Sequence, residues 1–178
     1  RTITELETFL RQRAISRGMS VAVKKQVMQR MSQKKPLEME DVQALTMLSL
    51  TLRENLKFEL FKRHMRSHHL FRLVEQTDPT VFKRICNTGV LFKALLPQDV
   101  LFVPDTPCDS AYLVTIGMIE YKERHSTVLT KNLSGRDTED EQVAQGSWLC
   151  WAALWSHWTH VGKAEAGPMS EVLMLSTE

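Results

Sequence analysis

No apolar run among these 178 residues approaches the roughly 18 to 20 that a membrane-spanning helix requires. The first residues, RTITELETF, offer neither an initiator Met nor a signal-peptide apolar core. The sequence is therefore read as a segment of a longer chain, with any membrane span expected outside it. Cysteine is scarce. Cys86, Cys108 and Cys150 lie far apart and share no CxxC or zinc spacing, which argues against a disulfide framework and for a reducing, cytosolic compartment. There is no internal repeat and no low-complexity tract. A P-loop, a dinucleotide glycine fingerprint, a nucleophile elbow and a recognisable carboxylate pair are all missing, so an enzyme is not expected. Charge is missing locally too: residues 142–162 contain no Asp, Glu, Lys or Arg, and no Arg follows Arg136.

What remains is a soluble globular composition, 43% hydrophobic and 25% charged, large enough to bury a core as one domain or two small ones. The net charge of +2 conceals a division. Residues 1–73 carry 15 Lys and Arg against 7 Asp and Glu, a net of +8, whereas residues 74–178 carry 8 against 14, a net of −6. Opposite charge suggests two functional parts. The basic part spreads its cations over several amphipathic segments without interleaved aromatics, and it carries no recognition-helix or RNA-binding signature, so nucleic acid is not an expected partner. A solvated face, or one that meets acidic subunits or lipid headgroups, accounts for it.

Helical periodicity dominates the first half. Ile3, Leu6, Phe9 and Leu10 form one stripe, with Thr4 and Glu7 spaced as a capping box. Ser20 with Val23, Val27, Met28 and Met31 outlines a second helix ending in QKK before Pro36. Glu38, Glu40 and Asp41 suit the first turn of a third helix carrying Val42, Leu45 and Met47 or Leu48. A longer fourth helix over about 50–66 stacks Leu52, Leu56, Leu60 and Phe61. LFRLVEQ and then Pro79 to Cys86, with Asp78 as N-cap and Pro79 as first helical residue, close the helical part.

After Asn87 and Gly89 the period changes. VLFKALL, DVLFV, AYLVTIG, MIEYKE, STVLTK and SEVLMLS read as short strands separated by PQD, PDTPCD and NLSGRDTEDEQ. The fold class is therefore α+β: a helical segment, 1–76, followed by an antiparallel, jelly-roll-like β-roll with flanking helices, 77–178. The acidic run Asp137 to Glu141 is expected at an exposed hairpin tip, since the alternating oxygen ligands and fixed Gly of a calcium loop are absent.

All four tryptophans fall in WLCWAALWSHW, at Trp148, Trp151, Trp155 and Trp158, and separations of 3, 4 and 3 gather them on one side of a helix. A cage for a cationic ligand would need an acidic rim, which is absent, so packing is the expected use. Cys150, His157 and His160 lack a fourth ligand and a familiar zinc pattern. His64, His68 and His69 place an i, i+4 pair on one helix, but Met65 stands where a zinc protease has its Glu, and a solvated basic face is expected. No metal site and no cofactor are therefore expected.

The stretch DVLFVPDTPCDSAYLVTIGMIEY resembles the strand, turn and strand of the cyclic-nucleotide-binding domain family. Gln98, Asp99, Val100 and Leu101 stand at the Gly-Asp turn, Asp109, Ser110, Tyr112 and Leu113 at the following strand, and Gly117 at the next turn; Gln98 departs from the usual Gly. VAQGSWLCWAALW is similar to the lead-in to the family's phosphate-binding cassette, with Gly146 as its preceding glycine, and SEVLMLS to the strand after it. Upstream, ITELETFLRQRAISRGMSVAVKKQVMQ, EMEDV and LTLRENLKFELFKRHMRSHHLF resemble the helical linker that joins pore to roll in cyclic-nucleotide-gated, hyperpolarisation-activated and ether-à-go-go type channels. Leu52, Arg53, Leu56, Leu70 and Phe71 occupy its motif positions.

This resemblance implies a cytosolic gating or regulatory segment of a tetrameric, voltage-gated-type cation channel, with potassium the expected ion. The implied partners are neighbouring subunits and an upstream pore domain, and a lid helix would follow Glu178. It also implies a ligand pocket at Gly146, Leu149, Cys150, Trp151, His157, Trp158 and Thr159. There the family's Gly falls on Cys150, its ribose-binding Glu on Trp151 and its phosphate-binding Arg near His157. Each charge-assisted bond contributes roughly 1.5 to 3 kcal/mol, so losing both weakens affinity about a hundredfold or more. Trp151 and Trp155 are expected to fill the cavity that nucleotide occupies in relatives, which disfavours cAMP and cGMP. The alternative is a genuine cyclic-nucleotide-binding domain of a channel, transporter or soluble regulatory subunit, which holds its ligand through backbone contacts.

Overall fold

The computed structural model describes residues 2–32, 36–123 and 141–177. The expected STVLTK strand and all of the acidic tip except Glu141 lie outside the described residues. The chain divides into two compact units, residues 1–34 and 35–178, and not at 76/77 as the periodicity suggested. The reason is that the helices of residues 50–88 share one core with the strands. No helix among the described residues is long and apolar enough to cross a membrane.

The first unit is a helical pair, α1 (Thr2–Gln12) and α2 (Arg17–Ser32). The expected capping box does not form. Helix α1 already runs through Thr4, whose carbonyl accepts from Thr8 Oγ1 at 2.9 Å, while Glu7 turns to Lys24 Nζ at 2.7 Å. That ammonium holds the Glu7 carboxyl below its usual range. Leu10 is buried, whereas Phe9, Met19, Val21, Met28 and Met31 stay exposed.

The second unit begins with two short 3-10 turns, Met39–Asp41 and Gln43–Met47, in place of the expected third helix. The acidic residues do cap, with Asp41 Oδ2 accepting from Glu38 N at 3.0 Å. Val42 is nonetheless extended (φ −99°, ψ 90°), and none of these turn residues is buried, so there is no apolar face to hold an α-helix. Three helices follow: α3 (Leu50–Met65), α4 (His69–Thr77) and α5 (Pro79–Thr88). Asp78 caps α5 as expected, its Oδ1 accepting from Thr80 N and Val81 N, both at 3.0 Å, with Pro79 at the first helical position. Asp78→Ala should lower stability by about 1 kcal/mol and Asp78→Asn by much less, read as shifts of the urea midpoint.

The strands are β1 (Val90–Leu95), β2 (Val100–Phe102), β3 (Pro107–Cys108), β4 (Ser110–Ile116), β5 (Met118–Glu123), β6 (Glu141–Ala144), β7 (Trp148–Leu149), β8 (Trp158–Thr159), β9 (Gly162–Ala166) and β10 (Ser170–Ser176). Among the described residues they form antiparallel sheets ordered β1-β10-β4-β7, β2-β9-β5-β6 and β3-β8.

Strand β4 shows why the layers stack as they do: six of its seven residues are buried, a run that only a strand covered on both faces can carry. Leu113, with Leu173 and Leu175 of β10, faces Phe61, Met65, Phe71, Phe82 and Cys86 of the helices. Tyr112 and Val114, with Val172, face Phe102, Ile119, Val143 and Ala164 of the second four-stranded sheet. Period-two alternation thus sends successive side chains into two different cores.

Candidate functional site: an uncharged hollow beside the cassette turn

The segment that resembles a phosphate-binding cassette opens at Gly146, whose φ of +89° only glycine adopts without strain. Its N–H donates to Val114 O at 2.8 Å, and this tie starts β7 on the edge of β4, with Leu113 opposite Trp148 and Tyr112 opposite Leu149. Cys150 then takes a left-handed conformation (φ 57°, ψ 21°), unusual for a residue with a Cβ. A short 3-10 turn, Trp151–Leu154, follows and gives way to β8 and then His160. The tryptophans therefore do not share one helical side; strand, turn and strand separate them.

Between this turn and the second sheet lies a hollow of about 350 Å³. Leu149, Cys150, Trp151 and Ala152 form one wall, Trp158, His160 and Val161 another, and Phe102, Tyr121 and Trp148 complete it. No Asp, Glu, Lys or Arg is among these residues. Of the expected pocket positions, Leu149, Cys150, Trp151 and Trp158 line the hollow. Gly146 only shapes the approach, and His157 and Thr159 are exposed and outside the lining. Trp155 also lies outside it, 61% exposed, so it does not fill the space. Trp151 borders the space but is itself 51% exposed.

Phe102, Tyr121, Trp148, Ala152, His160 and Val161 belong to the lining and were missed as pocket residues. The first two arrive from other strands and leave no local signal in the sequence. A larger hollow, about 590 Å³, runs between residues 37–46, α3 and β1. Glu38, Glu40, Arg53, Lys57, Lys93 and Glu171 are among its lining, and it lies away from the cassette turn.

Within the smaller hollow, His160 is 4% exposed and stacks on Phe102, with centroids 3.9 Å apart and planes 8° from parallel. Its backbone is fixed on both sides, N–H to Thr106 O at 2.9 Å and carbonyl from Asp105 N at 2.8 Å. Burial pushes its pKa down and so favours the neutral ring, and the charge of Asp109 offsets part of that. Cys150 Sγ lies 3.5 Å from His160 Nδ1, and its thiol is pushed up by burial and by nearby Cys108. Burial likewise pushes Tyr112 up to about 12.

Cys150 and His160, paired in the sequence with His157, do come together, but the third member is Cys108: these three ligand atoms lie within 4.8 Å of one another. The HxxxHH histidines separate. His64 packs edge-on against Phe92 at 5.4 Å, and burial, with Arg63, lowers its pKa. His68 Nδ1 accepts from Leu70 N at 3.2 Å as the N-cap of α4, and His69 pairs with Arg72.

The hollow's wall is joined to the bend between α3 and α4. Trp148 Nε1 donates to Ser67 Oγ at 2.9 Å, its ring lies 6.0 Å from Phe71 and 5.4 Å from His68, and His68 reaches Trp151 at 6.1 Å. This turn is therefore in direct contact with Ser67, His68 and Phe71.

No family model matches the sequence, and no curated protein matches it. Solved structures do. The cAMP-bound PfPKA-R (141-441) superimposes with a TM-score of 0.50 at 10% identity, over 70% of this chain and 38% of its own. A cyclic nucleotide-binding-like protein from Brucella abortus bv. 1 str. 9-941 gives 0.49 at 23% identity, over 65% of this chain and 91% of its own. The N-terminal domain of a transcriptional regulator from Streptomyces coelicolor A3(2) gives 0.41 at 22%, over 49% and 56%. The fold is that of a cyclic-nucleotide-binding-like β-roll with flanking helices.

Proposed function

We propose that this chain is the cytosolic gating and regulatory segment of a tetrameric cation channel, a potassium channel by its resemblance, and that its roll works as a mechanical element without binding cAMP or cGMP. The observation that carries the reading is the hollow beside the turn that resembles a cassette: among the described residues its lining holds no ionised side chain. A cyclic nucleotide is a monoanion, and enclosing it without a partner charge costs several kcal/mol in practice. The contact of Trp148 with Ser67 and Phe71 supports a mechanical role, since it ties that turn to the helices that lead toward a pore in the resembling channels. The exposed apolar residues of α1 and α2, on a basic helical pair, support a seat on a neighbouring subunit.

Titration calorimetry and tryptophan emission with cAMP and cGMP test the proposal. No saturable change is expected up to millimolar nucleotide. In the full-length chain, currents should persist and ignore nucleotide applied to the cytosolic face. A second reading, a true cyclic-nucleotide-binding regulatory domain, is favoured by one observation: about 350 Å³ stays open where the expected tryptophan filling is incomplete. A saturable response with a micromolar midpoint would establish that reading and end the first.

A further inference from the structure

We infer that Cys108, Cys150 and His160 form a binding site for a borderline-soft divalent metal of the zinc class, with two thiolates and one imidazole as ligands and a fourth position open to the hollow. The inference is independent of whether the chain gates a channel.

The three residues are brought together by pairing that no sequence spacing announces. Strand β3 lies antiparallel to β8 with Cys108 opposite Trp158, which sets Cys108 beside the start of the segment ending at His160. Cys150 enters from the other side, from the end of β7. Cys150 Sγ and His160 Nδ1 are 3.5 Å apart, and all three ligand atoms lie within 4.8 Å of one another. Tetrahedral zinc, with Zn–S near 2.3 Å and Zn–N near 2.0 to 2.1 Å, requires an S···N edge of about 3.5 Å and an S···S edge of about 3.8 Å. The Cys150–His160 edge already has the length the metal needs, and the two edges to Cys108, within 4.8 Å, require at most a shift of about 1 Å to reach it.

The positioning is also firm. His160 is buried, its ring is stacked on Phe102, and its backbone is anchored at Thr106 and Asp105, so ring rotation is restricted before any metal arrives. Cys150 is held at φ 57°, a conformation with a cost, where glycine or asparagine would serve a plain turn better. Cys108 Sγ now donates to Ser110 O at 3.2 Å. On binding, both S–H bonds break, the two protons leave to solvent, and two metal–sulfur bonds form; the lone pair of Nδ1 makes the third bond, with the proton of the neutral ring on Nε2. Two thiolates balance a divalent ion, so the assembly is neutral and suits an uncharged hollow that would not tolerate a lone anion. Cys150 and His160 both line that hollow, which directs the remaining coordination position into it for water or a small donor ligand.

The test uses the whole chain, reduced and desalted, with Zn²⁺ and Co²⁺ as probes. One equivalent of either should bind. The Co²⁺ form should show a thiolate-to-cobalt charge-transfer band with tetrahedral visible absorption, and X-ray absorption of the Zn²⁺ form should count two sulfurs and one imidazole nitrogen. Cys108→Ser, Cys150→Ser and His160→Gln should each weaken binding at least tenfold, while Cys86→Ser, in the helical core, should not change it. The wild-type spectra keep the question answerable if a variant misfolds. Three results would each overturn the site: no uptake by chain whose thiols titrate as free, cobalt absorption without the thiolate band, or uptake unchanged in Cys150→Ser. Formation of a Cys108–Cys150 disulfide in air, with no metal uptake after reduction, would overturn it as well.

Discussion

Phe82→Ala is expected to remove roughly 3 to 5 kcal/mol of stability, the range for deleting a fully buried aromatic side chain. Phe82 is 0% exposed and packs in the cluster that joins α3, α4 and α5 to β4 and β10, with Phe58 edge-on at 6.0 Å. Removing the ring leaves a void bounded by rigid helices on one side and a doubly covered sheet on the other, and neither can move in to close it. Since domains hold roughly 5 to 15 kcal/mol in all, the variant should lose a large part of its cooperativity reserve, with melting lowered by on the order of 10 °C. Urea denaturation followed by tryptophan emission measures it, because Trp148 packs against the same cluster. A loss below about 1 kcal/mol would mean that the helices of residues 50–88 are appended to the roll and not part of its core.

That core explains what the sequence conceals and what it reveals. Helices α3 to α5 were legible because their stripes and the Asp78 cap are local: each signal lies within a turn or two of the residue it governs. Strands β1, β2, β4 and β10 were legible for a similar reason, since they are runs rich in large apolar residues, and β5 by the alternation in MIEYKE. The boundary between units was not. Residues 50–77 look like a separate helical segment by period alone, and only the contacts of Phe61, Met65 and Phe71 with Leu113, Leu173 and Leu175 assign them to the roll.

Small residues hid β9, in which Gly162, Ala164 and Ala166 alternate correctly but carry too little side chain to register as a strand. The two-residue strands β3, β7 and β8 have no period at all; β7 and β8 supply part of the hollow's wall, and the pairing of β3 with β8 helps bring Cys108 to Cys150 and His160. Composition accounts for the uncharged part of the described lining that residues 148–161 supply, because a block without Asp, Glu, Lys or Arg stays uncharged however it folds. Its shape depends on partners more than 30 residues away, such as Phe102 against His160, and these no local pattern encodes.

Backbone conformation offers one more contrast between positions that resemble the same family motif. Gln98, where the motif it resembles has glycine, sits at φ 66°, stabilised by its N–H to Ala166 O at 2.9 Å and by the neighbouring turn in which Asp99 Oδ2 accepts from Leu96 N at 2.8 Å. A side chain is tolerated there because the strain is conformational only, roughly 1 to 2 kcal/mol, and the surrounding hydrogen bonds hold the turn.

Gly117 cannot be replaced on those terms. Its φ is +75°, and a Cβ would stand 2.6 Å from Met169 O and 2.7 Å from Ser170 Oγ. Neither atom can withdraw cheaply. Met169 O is backbone, and Ser170, fully buried, lies 2.8 Å from Met118 O and 2.7 Å from Pro168 O and accepts from Met118 N at 3.3 Å. Gly117→Ala should therefore add a packing clash of about 1 to 3 kcal/mol to a conformational cost of about 1 to 2 kcal/mol, a total of roughly 2 to 5 kcal/mol. Gly146→Ala supplies the control, since at φ +89° nothing lies within 4 Å of its added carbon, and only the conformational part should be lost. Urea midpoints of the two variants, measured side by side, separate the contributions. Equal losses would show that the β4–β5 turn yields to a methyl group, and that the close approach of Met169 and Ser170 does not fix the path between the two sheets.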